Sequence, residues 1–224
     1  KSSKKHTFVL SYINMPTRLL KIVLLGATAV GKTSILRKWA DKTIDIKSEG
    51  YAPTLANVSG DSVRKREKIG SHRVVINAYD TSGQERVACI SQQFYSGANI
   101  ALFVASFDLS RSVDSVSFWH SLLAEKCYDI DGDDEIDCYI ILNKKDLEGS
   151  MEGALAVTKE EAEAKVKELG FKGIYYTSAY TGEGIEEAFT DSAKKYCESH
   201  PDGESIGDDV DLSTGKKDDK GCII

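Results

Sequence analysis

The octapeptide GATAVGKT, residues 26–33, constrains the fold of this chain more than any other segment. The apolar run LLKIVLL precedes it and is typical of a strand covered on both faces. A helix from about Gly31 to Asp41 follows. Glycines at both ends of the loop let backbone N–H groups approach an anion closely, and a helix N-terminus favours negative charge. The pattern GxxxxGK[ST] in this context predicts a phosphate-binding loop in an α/β fold.

Four residues of this loop have predicted roles. Gly26 and Gly31 permit the tight turn, Lys32 is expected to reach the β- and γ-phosphates, and Thr33 is expected to offer its hydroxyl to Mg²⁺. A phosphate loop does not by itself distinguish ATP from GTP.

Strand-like and helix-like segments alternate along the rest of the chain, which implies crossover connections. We therefore predict a three-layer P-loop NTPase fold, with a mostly parallel six-stranded sheet and helices on both faces. One strand pair has no helix between its members, so an antiparallel hairpin is predicted at the sheet edge, around KIGSHR. The later predicted strands are LANVSGDSVRKREKI, RVVINAY, NIALFVASF, DCYIIL and KGIYYTS, and the later predicted helices cover residues 84–95, 112–127, 159–169 and 183–197.

Composition excludes several functional classes. The chain has 224 residues, of which 41% are apolar, enough for one globular core with tails. A net charge of −6 argues against nucleic acid as a partner. The five cysteines are odd in number and scattered, so neither a disulfide framework nor a zinc site is predicted, and a reducing cytosol fits best.

Composition also marks the two ends. Residues 1–18 are basic and partly apolar, and are interpreted as a flexible extension. They read either as a membrane-surface or targeting segment, or as sequence upstream of a natural start at Met15. Residues 198–224 are rich in Gly, Ser and Asp and are predicted to be disordered from about Glu198. The predicted folded domain covers residues 19–197.

The segment ILNKKDL, residues 141–147, indicates the base. The carboxylate of Asp146 can accept hydrogen bonds from N1–H and the amino group of guanine, whereas adenine has no matching pair of donors. Asn143 is expected to tie this loop to the phosphate loop, and the aliphatic stem of Lys144 can lie along the base. Taken alone, these are also ordinary loop residues.

The segment YDTSGQE, residues 79–85, ends the second strand of the predicted hairpin. Asp80 can hold Mg²⁺ directly or through water. Gly83 can offer a backbone N–H to the terminal phosphate, and Gln84 can orient an attacking water. Alone, the segment also reads as a polar turn that opens a helix. Together the three motifs are spaced so that each can end a different strand of one sheet.

These motifs, with YAPT at residues 51–54 and TSAYTGEGI from residue 177, resemble the small GTPases of the Ras superfamily, and the Rab family most. The resemblance covers about Leu19 to Cys197. It implies that Thr54 meets Mg²⁺ and the γ-phosphate only in the triphosphate state, and that Ser178 and Ala179 brace the guanine loop and give a backbone N–H to the base oxygen. Further nucleotide contacts are implied for Ala29, Val30, Ser34 and Tyr51.

Three departures from the family pattern stand out. Thr28 and Ala29 occupy positions where the family often has Gly or Ser, and they crowd the place where a partner would insert an arginine. Tyr180 stands where the family usually has a lysine, and its ring can stack on the base instead. The stretch LANVSGD, residues 55–61, replaces the usual sequence after the switch threonine, which weakens an effector assignment.

The predicted activity is slow hydrolysis of GTP to GDP, with Gln84, Lys32 and Thr54 as the catalytic set. The predicted Mg²⁺ ligands are Thr33, Thr54 and Asp80. The expected role is a molecular switch in vesicle traffic. Its expected partners are an exchange factor, a GTPase-activating protein and effectors, which bind the loops around Thr54 and Gly83–Arg86.

Two alternatives remain from the sequence. A pseudo-GTPase scaffold would bind guanine nucleotide, or none, without meaningful hydrolysis. A P-loop kinase acting on a small acceptor fits the phosphate loop but not NKKD or DTSGQE.

Cys222 is predicted to carry a prenyl lipid, which would place the chain on the cytosolic face of intracellular membranes. A C-a-a-X box needs three residues after the cysteine, and two follow it here. Either one more residue follows in the natural protein, or a Rab-type prenylation machinery accepts this ending, or Cys222 is an ordinary thiol.

Overall fold

The structure, a computed structural model, describes residues 17–46, 62–70, 72–81, 95–127, 136–150, 156–201 and 205–206. Within these ranges the strands are β1 (Thr17–Leu25), β2 (Ser62–Ile69), β3 (His72–Asp80), β4 (Ile100–Ser106), β5 (Asp137–Asn143), β6 (Gly173–Tyr176) and β7 (Ser205–Ile206). The helices are α1 (Lys32–Ala40), α2 (Arg111–Cys127), α3 (Lys159–Leu169) and α4 (Ile185–Ser199).

The six main strands form one sheet in the order β2-β3-β1-β4-β5-β6. Strands β3, β1, β4, β5 and β6 are parallel, and β2 pairs antiparallel with β3 at the edge. The predicted α/β class, the mostly parallel six-stranded sheet and the edge hairpin are therefore confirmed. The two-residue strand β7, which pairs antiparallel with β1, is an addition that the sequence patterns did not indicate.

The second half of β1, Ile22–Leu25, is buried on both faces, which explains why these four residues are all apolar. Ile22 and Leu24 belong to the core that α1 and α4 cover, whereas Val23 and Leu25 belong to the core beneath α2. On the first side, the rings of Trp39 in α1 and Phe189 in α4 stack with centroids 4.2 Å apart. Burial of both faces holds β1 at the centre of the sheet and so fixes the loop that follows it.

Helix α4 ends at Ser199, two residues beyond the predicted helix end at Cys197. The Arg18 side chain of β1 contacts the backbone at this end. The Arg18 guanidinium is only 3% exposed and donates to the carbonyl oxygens of Cys197, His200 and Pro201. It thereby satisfies carbonyl groups at the end of a helix, where no intrahelical donor exists.

Several sequence predictions lie outside the described residues. They are residues 55–61 of the first hairpin strand, the helix at residues 84–95 except for Tyr95, the switch segment YAPT, and the cysteine at 222. No helix in the described ranges is long and apolar enough to cross a bilayer.

We expect Arg18→Met to lower the free energy of unfolding by roughly 2–4 kcal/mol, because it leaves three carbonyl oxygens at the end of α4, among them that of buried Cys197, without a charged donor. Urea denaturation measures this loss. Arg18→Lys keeps the charge but offers a single donor group, and should recover only part of the stability. A change below about 0.5 kcal/mol for Arg18→Met would show that these hydrogen bonds contribute little.

Candidate functional site

The site is built from loops at one edge of the sheet. Because β1, β3, β4 and β5 are parallel, their carboxyl ends meet there, at Leu25, Asp80, Ser106 and Asn143. This edge is the usual place for ligands in open α/β sheets. The predicted phosphate, metal and base motifs all come from these loops, so the fold gathers them at a common edge.

The phosphate loop, residues 26–31, runs close to its neighbours at two glycines. A Cβ atom at Gly26 would overlap the Val104 carbonyl oxygen, and one at Gly31 would collide with the side-chain amide of Asn143. Gly31 precedes α1 with φ of +98°, a value that L side chains rarely adopt. The sequence therefore places glycine where both space and backbone conformation exclude other residues.

Lys32 lies across the inside of this loop. Its Nζ donates to the carbonyl oxygens of Gly26 (2.7 Å) and Ala27 (2.8 Å), and the side chain is 6% exposed. Burial lowers the pKa of Lys32 from 10.5 to about 8, while attraction to Asp80 acts in the opposite direction. The ammonium group is thus fixed beside the loop backbone before any anion binds.

Thr33 and Asp80 bring two oxygen ligands together from α1 and β3. The Thr33 hydroxyl donates to Asp80 Oδ2 at 2.5 Å, and Asp80 is 2% exposed. Asp80 lies at the end of β3, where its neighbour Thr81 donates through Oγ1 to the Leu24 carbonyl oxygen. A hydroxyl and a carboxylate oxygen beside a lysine and a helix N-terminus suit Mg²⁺ that is bound to phosphate.

Three further residues in or beside the phosphate loop are implied to contact nucleotide. Val30 is fully buried, Ala29 adopts φ of +68°, and Ser34 lies in the first turn of α1.

Asn143 connects the phosphate loop with the base loops. Its Nδ2 donates to the Val30 carbonyl oxygen at 2.9 Å. Its Oδ1 accepts from Thr177 Oγ1 at 3.0 Å and from the Ala179 N–H at 3.2 Å. The predicted tie between Asn143 and the phosphate loop therefore exists in the structure. The Ala179 N–H donates to Asn143 in the structure, and its predicted contact with a base oxygen stays a prediction.

Asp146 lies in a single turn of 3₁₀ helix, Lys145–Leu147, and is exposed. One of its carboxylate oxygens accepts from Ser178 Oγ at 2.5 Å. The Ser178 hydroxyl oxygen in turn accepts from the Thr181 N–H at 3.1 Å. Ser178 thus orients Asp146 as the resemblance implied, and the carboxylate keeps acceptor capacity for a ligand.

Lys144 and Tyr180 flank the same loops. Lys144 adopts φ of +62°, and its Nζ lies 2.7 Å from Asp108 Oδ2. Asp108 also accepts from Ser106 Oγ at 2.7 Å. The ion pair fixes the direction of the lysine stem. Tyr180 is 45% exposed, so its ring is available to a ligand at this edge.

Asp108 and Thr177 contact Lys144 and Asn143 of the candidate site, and the sequence interpretation did not single them out. Each had a usable signal: Asp108 follows the apolar run of β4 at the carboxyl edge, and Thr177 directly precedes Ser178. The predicted Tyr51, Thr54, Gly83 and Gln84 lie outside the described residues.

Comparison with known proteins agrees with this geometry. A family model described as Ras family matches residues 21–198. Among similar proteins, Ras-related protein Rab7A of Mesembryanthemum crystallinum is 27% identical, over 88% of this chain and 91% of its own length. Ras-related protein Rab-24 of Dictyostelium discoideum is 30% identical, over 82% and 84%. Ras-related protein Rab-21 of Bos taurus is 31% identical, over 82% and 75%.

The matched residues contain the phosphate loop, Asp80, Asn143, Asp146 and Ser178. The chain belongs to the Ras family and is a divergent, Rab-like small GTPase of the Ras superfamily.

Proposed function

We propose that this chain binds GTP and GDP with Mg²⁺, hydrolyses GTP slowly, and acts as a switch in membrane traffic. The observation that carries the proposal is the tie from Asn143 to Val30, because it joins a phosphate loop to a guanine-reading loop. Family membership supports the GTPase class, and the residues of the site supply the detail.

Guanine selection is assigned to Asp146. A carboxylate offers two acceptors to the two donors on the N1 edge of guanine, and the bond from Ser178 holds it in one orientation. The aliphatic stem of Lys144, fixed by Asp108, lies along one face of the base. Tyr180 follows Ser178 by two residues, and its ring stacks on the other face of the base.

The triphosphate end is held by the loop N–H groups, the N-terminus of α1 and Lys32. Thr33 and Asp80, together with Thr54 in the triphosphate state, are the proposed ligands of Mg²⁺. When bound there, Mg²⁺ would neutralise part of the phosphate charge. The residues present fit this group, since the Thr33 hydroxyl and the Asp80 carboxylate bring two oxygen ligands together beside the buried Lys32.

Hydrolysis needs a positioned water and charge stabilisation rather than a covalent residue. Gln84 is proposed to orient that water, and Gly83 to donate its N–H to the γ-phosphate. Arg86 is interpreted as a solvent-exposed charge rather than a catalytic one. Without an arginine from a partner, which contributes about 10³–10⁵ in rate in related enzymes, turnover stays slow.

Slow turnover suits a switch. The loops around Thr54 and Gly83–Arg86 would be ordered by the γ-phosphate and released when it leaves, so effectors would bind one state and exchange factors the other. Vesicle traffic is proposed from the Rab-like character of the chain. The scaffold alternative keeps the same nucleotide site without hydrolysis and is favoured by Thr28 and Ala29 in the phosphate loop.

We expect Asp146→Asn to weaken GDP binding at least about 100-fold, because an amide offers one acceptor where guanine needs two. Xanthosine diphosphate, with a carbonyl oxygen in place of the amino group, should lose less affinity. Nucleotide titration by calorimetry measures both. Glu183→Gln removes a carboxylate that pairs with Lys145 in the same loops, and serves as the matched control. Equal losses in the two variants would contradict the assignment.

We expect Gln84→Leu to slow single-turnover formation of GDP about tenfold or more, because the water loses its orienting group. Rapid quench of a chain loaded with radiolabelled GTP follows the reaction. GDP binding should be unchanged, which separates loss of chemistry from loss of fold. If the native chain forms GDP no faster than the Gln84→Leu chain, the scaffold alternative replaces the enzyme.

Membrane attachment is proposed through a lipid on Cys222. We expect Cys222→Ser to move the chain from the membrane fraction to the supernatant, since a prenyl group supplies the apolar contact. Fractionation of cells that express each chain measures this shift, with Cys197→Ser, at a buried cysteine, as control. Unchanged membrane association of Cys222→Ser would remove this proposal.

A further inference from the structure

Strands β1, β3 and β2 share a sheet face that carries basic residues, most of them on the edge strand β2. Side chains opposite one another on neighbouring strands share a face, so the strand register defines its rows. The three rows, each written from β1 to β2, are Lys21–Asn77–Arg64, Leu19–Val75–Arg66 and Thr17–Arg73–Lys68. None of these positions carries Asp or Glu.

We name Arg64, Arg66, Lys68 and Arg73 the basic face. The three β2 residues are exposed, and Arg73 is half-buried. Beside them Leu19 is 40% exposed, one of the large apolar side chains most open to solvent in the described part of the chain. Four positive charges beside an apolar side chain are unexpected in a chain whose net charge is −6. This surface suits a negatively charged, partly apolar segment.

The C-terminal tail begins next to this face. Strand β7 pairs with Thr17 and Arg18, where β3 already occupies the other edge of β1. Strand β7 therefore lies on the side of β1 away from β3. Its last residue, Ile206, is opposite Thr17, in the row that continues through Arg73 to Lys68.

The tail has the complementary charge. Residues 202–215 contain no Lys or Arg, and their acids are Asp202, Glu204, Asp208, Asp209 and Asp211. In the stretch DVDL, residues 209–212, acidic and apolar residues alternate, so an extended backbone would present them to opposite sides.

A few extended residues can span the distance from the end of β7 to strand β2. From β7 to β2 there are three strand spacings, about 15 Å in all. Five extended residues, 207–211, cover about 17 Å. The acids after Ile206 can therefore reach Lys68 and Arg66 without any change in the described strands.

We propose that residues 207–212, GDDVDL, dock on the basic face of the same chain. The aspartates lie against the β2 cations, while Val210 and Leu212 point to the other side of the extended segment. Each exposed ion pair contributes little alone, but the tether raises the local concentration of the segment to the order of millimolar. The contact is screened by salt and is displaced by an acidic partner that binds the same face, which would release the segment leading to Cys222.

Carbodiimide crosslinking tests the contact on the full chain, because it joins a lysine amine to a carboxylate only when the two touch. We expect a Lys68 crosslink to Asp208, Asp209 or Asp211, identified by mass spectrometry. Its yield should fall severalfold when salt is raised from 0.15 M to 1 M, which shortens the screening length from about 8 Å to about 3 Å. A yield that does not respond to salt, or no such crosslink, overturns the proposal.

Two variants with the same change in net charge distinguish an effect of the basic face from an effect of net charge. Arg66→Glu should reduce the crosslink yield severalfold, whereas Lys167→Glu, on exposed α3, should leave it unchanged. Equal effects of the two variants overturn the proposal. If Arg66→Glu does not fold, Arg66→Gln and the salt series on the native chain carry the test.

Other occupants give distinct products. A mixture of ¹⁵N-labelled and unlabelled chains identifies contact with a second copy through crosslinks of mixed mass. Tail crosslinks to Lys4 or Lys5 instead of Lys68 show that the tail contacts the basic N-terminal residues and not the basic face. Either result as the main product overturns the proposal.

Discussion

The side-chain amide of Asn143 joins the segments on which the whole site depends. It is 1% exposed, and it bonds to Val30 of the phosphate loop and to Thr177 and Ala179 after β6. A neutral amide can donate to one segment and accept two hydrogen bonds from another without the desolvation cost of a buried charge. In the low dielectric of the interior these bonds are strong, so phosphate binding and base reading share one rigid support.

Charged residues have different partners at the carboxyl ends and at the amino ends of the parallel strands. At the carboxyl ends of the strands, Lys32 contacts the phosphate loop and Asp80 contacts Thr33, where phosphate and Mg²⁺ are proposed to bind. At the amino edge, charged groups tie the chain to itself: Arg18 binds the end of α4, and the buried Asp137 lies 2.6 Å from Lys172. Charges at a ligand-binding end of a sheet must be able to pair with the ligand, whereas charges at the other end are paired within the protein.

Sequence patterns predicted what depends on local periodicity and on spacing. The apolar run of β1, the strand and helix alternation and the GxxxxGK[ST] context were enough for the sheet, the edge hairpin and the phosphate loop. Patterns could not predict β7 or the Arg18 contact, because these depend on residues about 180 positions apart. The Ala179 N–H bond to Asn143 was missed for a related reason: sequence gives the residues of a loop but not which neighbour each donor selects.

The position of β1 has a consequence for folding during synthesis. It is made first, yet it occupies the middle of the sheet, and the contact between Val30 and Asn143 spans 113 residues. At about 5–20 residues per second, the ribosome makes Asn143 roughly 6–23 s after Val30. During that interval an apolar strand has none of its later neighbours, so β1 is the segment that a nascent-chain chaperone has most reason to cover.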